Sequence, residues 1–255
     1  MATTSPSAEL KDQLRARFAG KTLHEVPTPS VVLDLAKVET TELTRLQVGD
    51  TLSTPVSLIV STLTEAEHIL PLLQSYQSRG RPVNVLPTLD MQQLATHARD
   101  ASLMTADDIA ISVVAEVASV YPERGANGTT EALINAGTLA LGREPVADKG
   151  KVPGQDYPGW GFVMPWGLDN PVPGPEFPRV HDGWQVGRIS QEHGILTWQG
   201  RKEDEVPLQY GQRVRVWPNH SCIAGAGFDW YLIVDSRNKG REDEVVDVWP
   251  RWRGW

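Results

Sequence analysis

The second half of the chain most constrains its fold. From residue 185 onward one short β-rich run follows another, at 185–189, 194–198, 213–217, 230–234 and 245–249, with glycine, proline or polar residues between them. Runs of about five residues rich in Val, Ile, Thr and Trp are too short for amphipathic helices and match strands joined by turns. Glycine and proline are frequent from Gly150 on, tryptophan is concentrated in this half, and residues 109–120 add an earlier run of Val, Ile and Ala. The half reads as mostly antiparallel β. Residues 130–136 are predicted as a short helix, and Gly225-Ala226-Gly227 as a turn between two strands.

The first half has a different texture. Ala8, Leu10, Leu14 and Phe18 recur near helical spacing, and Gly20 is placed to stop that helix. The proline-bounded segment 26–29 leads into a β-branched run at 30–35. A second strand-like run at 56–60, a helical pattern at 64–77 (Ala66, Ile69, Leu70, Leu73) and a third strand at 82–86 make one βαβ unit. Such a unit implies parallel strands. A further helix is predicted at 91–99. The domain division is therefore 1–25, an N-terminal helical arm; 26–104, an α/β segment; and 105–255, a β domain.

Composition removes several function classes. The 255 residues carry a formal net charge of −8 and no long basic run, so general nucleic-acid binding, which needs clustered cations, is not expected. No apolar stretch approaches the roughly 20 residues of a membrane helix, and residues 1–10 have no signal-peptide core. The single cysteine, Cys222, excludes an internal disulfide. The expected location is cytoplasmic, with no membrane partner.

Chemistry concentrates at Pro218-Asn219-His220-Ser221-Cys222. On a strand, residues two apart share a face, so the His220 imidazole and the Cys222 thiolate could reach one ion, and zinc accepts both ligand types. With two protein ligands such a site would be open to water or substrate. His-x-Cys is a short, common pattern, and a buried cysteine beside a hydrogen-bonded histidine is the alternative. His193, in Gln191-Glu192-His193-Gly194, is either a residue that supports a ligand from behind or a turn residue. His68 and His97 fall in predicted helices, and His24 and His181 in loops. Gly-x-Gly-x-x-Gly, P-loop, His-Glu-x-x-His and Gly-x-Ser-x-Gly motifs are absent.

Taken together, the motifs resemble one family. Pro27-Thr28-Pro29-Ser30-Val31-Val32-Leu33-Asp34-Leu35 resembles the opening strand of the alanine-racemase-like, fold-type III pyridoxal-phosphate enzymes, in particular the eukaryotic D-serine dehydratase and D-threonine aldolase group. The later matches are more specific. They are Glu116-Val117-Ala118-Ser119-Val120-Tyr121-Pro122-Glu123-Arg124, Glu131-Ala132-Leu133-Ile134-Asn135-Ala136-Gly137, Gly159-Trp160-Gly161-Phe162, Ser190-Gln191-Glu192-His193-Gly194 and Pro218-Asn219-His220-Ser221-Cys222, similar in order and spacing to the D-serine dehydratase-like domain. The resemblance implies an α/β N-terminal remnant of a (β/α) barrel followed by the antiparallel β domain. It also implies zinc at His220 and Cys222, with the cysteine pointing to a dehydratase rather than an aldolase.

The parent activity implied is elimination of water from D-serine, dependent on pyridoxal phosphate and zinc, to give pyruvate and ammonia. The departure from the family is equally specific. Its Schiff-base lysine lies in an Arg-x-His-x-Lys-Thr-His-Lys stretch, and here Asp34-Leu35-Ala36-Lys37-Val38-Glu39 runs directly into Thr40-Thr41-Glu42-Leu43. Lys37 follows the first strand in a different motif. A complete (β/α) barrel takes about 250 residues, whereas 26–104 holds two or three βα units, so the chain reads as a family member with large internal deletions. No catalytic residue is assigned, and covalent attachment of pyridoxal phosphate is not expected. The expected partners are a small D-amino acid such as D-serine and a second copy of the chain in a homodimer. The alternative function is a non-catalytic zinc-binding β domain used for interaction.

Overall fold

The computed structural model describes residues 8–38, 56–57, 83–84, 105–144, 159–174, 177–178 and 180–251. Along the chain these form helix α1 (Ala8–Phe18) and strands β1 (Ser30–Asp34), β2 (Val56–Ser57), β3 (Val83–Asn84), β4 (Ile111–Tyr121) and β5 (Glu131–Ile134). Helix α2 (Thr138–Leu141) follows, then β6 (Gly161–Val163), β7 (Trp184–Ile189), β8 (Gly194–Trp198) and β9 (Arg213–Pro218). Helix α3 (Ser221–Ala226) precedes β10 (Trp230–Val234) and β11 (Asp247–Pro250). Contacts divide the chain into two units: Met1–Val26, Val32–Thr88 and Phe228–Trp255 in one, Pro27–Val31 and Leu89–Gly227 in the other.

In the first unit α1 lies on β11. Its apolar stripe buries Leu14 and Phe18, and Phe18 meets the Trp230 ring at 6.1 Å between centroids. On the flank of the helix Arg15 and Lys11 reach Asp247 at 3.1 and 3.9 Å. The helix stops where the sequence predicts, with Gly20 just beyond it at φ +84°. Strand β10 is flanked by β11, antiparallel with Tyr231 opposite Trp249, and by β1, parallel with Leu33 opposite Ile233. The two short strands at 56–57 and 83–84 also pair in parallel, Val56 with Val83, as the βαβ pattern requires. The helices predicted at 64–77 and 91–99, with His68 and His97, lie outside the described residues.

The second unit is a closed antiparallel barrel. Its strand order is β4-β5-β8-β7-β6-β9, and β9 returns to β4. Closure uses the length of β4: Val113–Glu116 pair with β9 while Val117–Tyr121 pair with β5, across a register shift between Val117 and Ser119. The return of β9 to β4 pairs the two strands that would otherwise be the outer strands of this six-stranded set. Val113, Val216 and Val163 sit side by side across three strands and are essentially fully buried, as are Val117, Ile134 and Leu196. Trp184 and Trp198 stack edge to face at 5.5 Å, and their indole N–H groups donate to the Val206 and Arg201 carbonyls at 2.8 and 2.9 Å. Each large ring thus buries its apolar body without orphaning its polar atom.

The antiparallel β expectation holds, and the fold is the mostly β architecture that the second half predicts. One element differs. Residues 131–134 are a strand rather than a helix, because Glu131–Ile134 pair with β4 on one side and with Thr197–Gly194 of β8 on the other. Two flanking partners outweigh the helix propensity of Ala and Leu. Among the described residues no helix is long and apolar enough to cross a membrane.

Candidate functional site

The end of β9 carries the residues that the sequence singles out. The strand is buried through Pro218 and is held by β4 at Val216 and by β6 at Pro218. Asn219, 1% exposed, follows it. The expected strand does not continue through His220 and Cys222. His220 is instead the N-cap of α3, extended at φ −135° and ψ 114°, and its carbonyl accepts the Ala224 N–H at 3.0 Å. Cys222 occupies the second position of the helix.

The local cause is composition. After Pro218, which has no N–H to give a ladder, the segment Ser221-Cys222-Ile223-Ala224-Gly225-Ala226 offers small side chains that fit a helix packed closely on its neighbour. Gly225 and Ala226 thus end a helix instead of forming a turn between strands. The two candidate ligands are thus set at a helix start, His220 at the cap and Cys222 in the first turn, and the cap makes no side-chain hydrogen bond. They do not alternate along a strand.

Helix α2 ties this corner to the His193 turn. Thr138 N–H and Oγ1 donate to the Ser190 carbonyl at 2.8 and 3.0 Å, and Leu139 N–H donates to the Gln191 carbonyl at 3.0 Å. Within that turn Ser190 N–H donates to the His193 carbonyl at 2.8 Å. Two glycines permit these approaches: a Cβ at Gly137 would stand 2.4 Å from the His193 nitrogen, and one at Gly227 would stand 2.1 Å from the Leu139 carbonyl oxygen. The turn bearing His193 and the helix bearing Cys222 therefore pack on the same four-residue helix. His24 lies apart, exposed and 3.8 Å from Asp243. His181 lies in the wall of the barrel unit, between Phe162 and Phe177.

Polar groups at the corner are unevenly satisfied. Asn219 Nδ2 donates to the Glu144 carbonyl at 3.0 Å and to the Gly159 carbonyl at 2.9 Å. Five buried side-chain atoms lack a hydrogen-bond partner among the described residues, and three of them are Trp217 Nε1, Asn219 Oδ1 and His220 Nδ1. Buried polar atoms without partners are rare enough to point to a water or an ion. His220 itself is half-buried, and Cys222 is exposed.

These donors fit zinc: an unpartnered imidazole nitrogen and an accessible thiol are ligand types the ion accepts. Among the described residues no three His, Cys, Asp or Glu side chains gather into a complete protein cage. Pyridoxal phosphate fits less well. None of the seven lysines stands in the family's Schiff-base stretch, and Lys11 and Lys202 are engaged with Asp247 and Glu205 at 3.9 and 3.0 Å. Sequence reasoning missed α2 and the clamp made by Asn219. The Gly137-Thr138 pair after a strand, followed by Leu-Ala-Leu and Gly142, is the signal that marks α2.

Comparison with known proteins places this corner in context. Residues 110–234 match the family model described as "Putative serine dehydratase domain". The D-serine dehydratase of Schizosaccharomyces pombe is 36% identical over 171 residues, covering 66% of this chain and 32% of that protein. The D-serine dehydratase of Saccharomyces cerevisiae is 32% identical over 166 residues, covering 65% of this chain and 32% of that protein. The chain thus aligns with about a third of the length of these curated relatives. The structure of D-threo-3-hydroxyaspartate dehydratase from Delftia sp. HT23 superposes with a TM-score of 0.55 at 18% identity, covering 92% of this chain and 100% of that one. A cysteine-to-alanine mutant of D-threo-3-hydroxyaspartate dehydratase, solved in the metal-free form, superposes equally well, with a TM-score of 0.55. These likenesses show that the chain shares the fold of the D-threo-3-hydroxyaspartate dehydratase structures.

Proposed function

We propose that this chain, whose residues 110–234 match the serine dehydratase domain model, is a D-serine dehydratase-like protein retaining the zinc half of the site and lacking the pyridoxal-phosphate half. The observation that carries the reading is His220 and Cys222 at the start of α3, with the His220 Nδ1 buried and without a hydrogen-bond partner among the described residues. His220 and Cys222 would hold the ion. When bound, zinc supplies a Lewis acid that stabilises negative charge on a departing hydroxyl oxygen. The half-buried imidazole and the exposed thiol leave one side of the pair open to a small D-amino acid such as D-serine. His193 would support the site from the neighbouring turn.

Loss of the lysine stretch removes the group on which covalent cofactor binding depends, so dehydration of D-serine is expected to be strongly reduced or lost. In this reading residues 1–25 are an arm, 26–104 a shortened barrel segment and 105–255 the zinc-bearing β domain. A cytoplasmic location and a second copy of the chain as partner belong to the same proposal. A second reading, a zinc-binding β module used for interaction without catalysis, draws on the closure of the six-stranded barrel within one unit.

The test is an assay of pyruvate release from D-serine by the full chain with added pyridoxal phosphate and zinc, alongside a visible-edge absorbance scan. No new absorbance and no pyruvate are expected. Turnover that a chelator abolishes would overturn the loss of activity while keeping the zinc assignment.

A further inference from the structure

We infer that Asn219 is the positioning residue of the His220–Cys222 pair, acting as a clamp that holds the corner between β9 and α3 in the shape the ion needs. The inference rests on the zinc reading above.

The observation behind it is a single side chain joining three chain segments. Asn219 is 1% exposed, and its amide donates both hydrogens, one to the Glu144 carbonyl at 3.0 Å and one to the Gly159 carbonyl at 2.9 Å. Two carbonyl acceptors define which end of the amide is nitrogen, so the donor assignment follows from the network. Glu144 lies three residues beyond the end of α2, and Gly159 lies two residues before β6. The clamp therefore fastens the residue next to His220 to the segment leaving α2 and to the one entering β6.

That matters because α3 is short. The helix has six residues, and its cap carries no side-chain hydrogen bond. Its placement draws on the close approaches of Gly142 to Ile223 and of Gly227 to Leu139, and on the end of β9 that Asn219 fastens. Without the clamp, the peptide preceding His220 would lose the two side-chain bonds that fasten it to its neighbours, and the imidazole at the cap would be held less firmly. Outer-shell groups that orient ligands in this way typically contribute about 10–100-fold to metal affinity. The unpartnered Oδ1 of Asn219 and Nδ1 of His220 place buried polar capacity on consecutive residues here, which fits a site rather than an inert turn.

Cobalt(II) titration of the full chain, followed by sulfur-to-cobalt charge-transfer absorbance, separates the outcomes. The unmodified protein is expected to give the band, and Cys222→Ala to lose it. Asn219→Leu, which keeps the branched shape but not the amide, and Asn219→Ala are expected to fold by circular dichroism and to bind cobalt about 10-fold or more weakly, with a diminished band at saturation. Asn170→Leu is the control. Asn170 is another buried amide of the same unit, with Nδ2 donating to the Val163 carbonyl at 3.2 Å and an unpartnered Oδ1, and its variant should keep full affinity. Unchanged affinity and spectrum in both Asn219 variants overturns the inference and leaves the zinc reading standing. An equal loss in Asn170→Leu, or unfolding of both Asn219 variants, also overturns it by assigning Asn219 to the barrel as a whole. A protein with no cobalt band before any substitution removes the zinc reading, and the inference falls with it.

Discussion

At the scale of residues, His181 shows how burial sets a charge state. Its ring packs edge-on to Phe162 at 4.5 Å and to Phe177 at 5.6 Å, and Nε2–H donates to the Trp184 carbonyl at 3.2 Å. Burial dominates and pushes its pKa down to about 4, against the opposing pull of the Trp184 carbonyl and Asp182. The folded protein therefore refuses a proton that the unfolded chain accepts near pH 6.5. Stability is full above about pH 6.5, falls as pH drops toward 4 and levels off below that, with a loss of up to about 3 kcal/mol. Denaturant melts of the protein and of His181→Phe across this range test it: the variant should lose most of the slope, and an unchanged slope would assign it to other groups. None of this was legible in the sequence, where His181 is a loop histidine, because Phe162 and Phe177 become its neighbours only in the fold. His220 and Cys222 were legible as a pair from their spacing and surrounding motif. Their geometry was not, since the choice between strand and helix cap turns on Pro218 and on the small residues after Ser221.

At the scale of elements, the short strands were the readable part. Residues 194–198 and 230–234 form strands as the pattern predicts, because β-branched and aromatic runs between turn residues have few other ways to bury themselves. The short helices α2 and α3 show no helical period, since they have four and six residues, and only the glycine-bounded start and stop mark α2. Both are defined by contact: α2 takes backbone bonds from the Ser190–His193 turn, and α3 seats against α2 at Gly227. Gly227→Ala is therefore predicted to force α2 and α3 apart, because its Cβ would lie 2.1 Å from the Leu139 carbonyl oxygen. The expected cost is about 1–3 kcal/mol, together with weaker metal binding, read by thermal melting and by zinc titration. Wild-type values in both would show that the corner yields without consequence. Residues 131–134 carry the complementary lesson. Their helical composition is overridden by strands on both sides, and the partners on β8, from Thr197 opposite Glu131 to Gly194 opposite Ile134, are too distant in the chain to be read locally.

For the whole molecule, the six-stranded barrel closes on itself in a chain that does not carry the family's lysine stretch. Its interior depends on tight packing across strands, so Ile134→Ala, at a fully buried position, should cost about 2–5 kcal/mol and lower the melting temperature. A shift under 1 °C would contradict that account of the core. The parallel pairing of β1 with β10 was hidden from sequence reading for the same reason as the barrel register: the two strands are separated by nearly the whole chain, at Ser30–Asp34 and Trp230–Val234. The absence of the lysine motif, by contrast, was plain in the sequence, because it is a missing stretch rather than a spatial relation. The central claim is that the β domain keeps a working metal pair at the end of β9. The most direct test is elemental analysis of the full chain after zinc loading and exhaustive dialysis. About one zinc per chain, falling to background in His220→Ala and in Cys222→Ala with the fold retained, is the predicted result. A protein that holds no zinc, or holds it equally in both variants, would contradict the account.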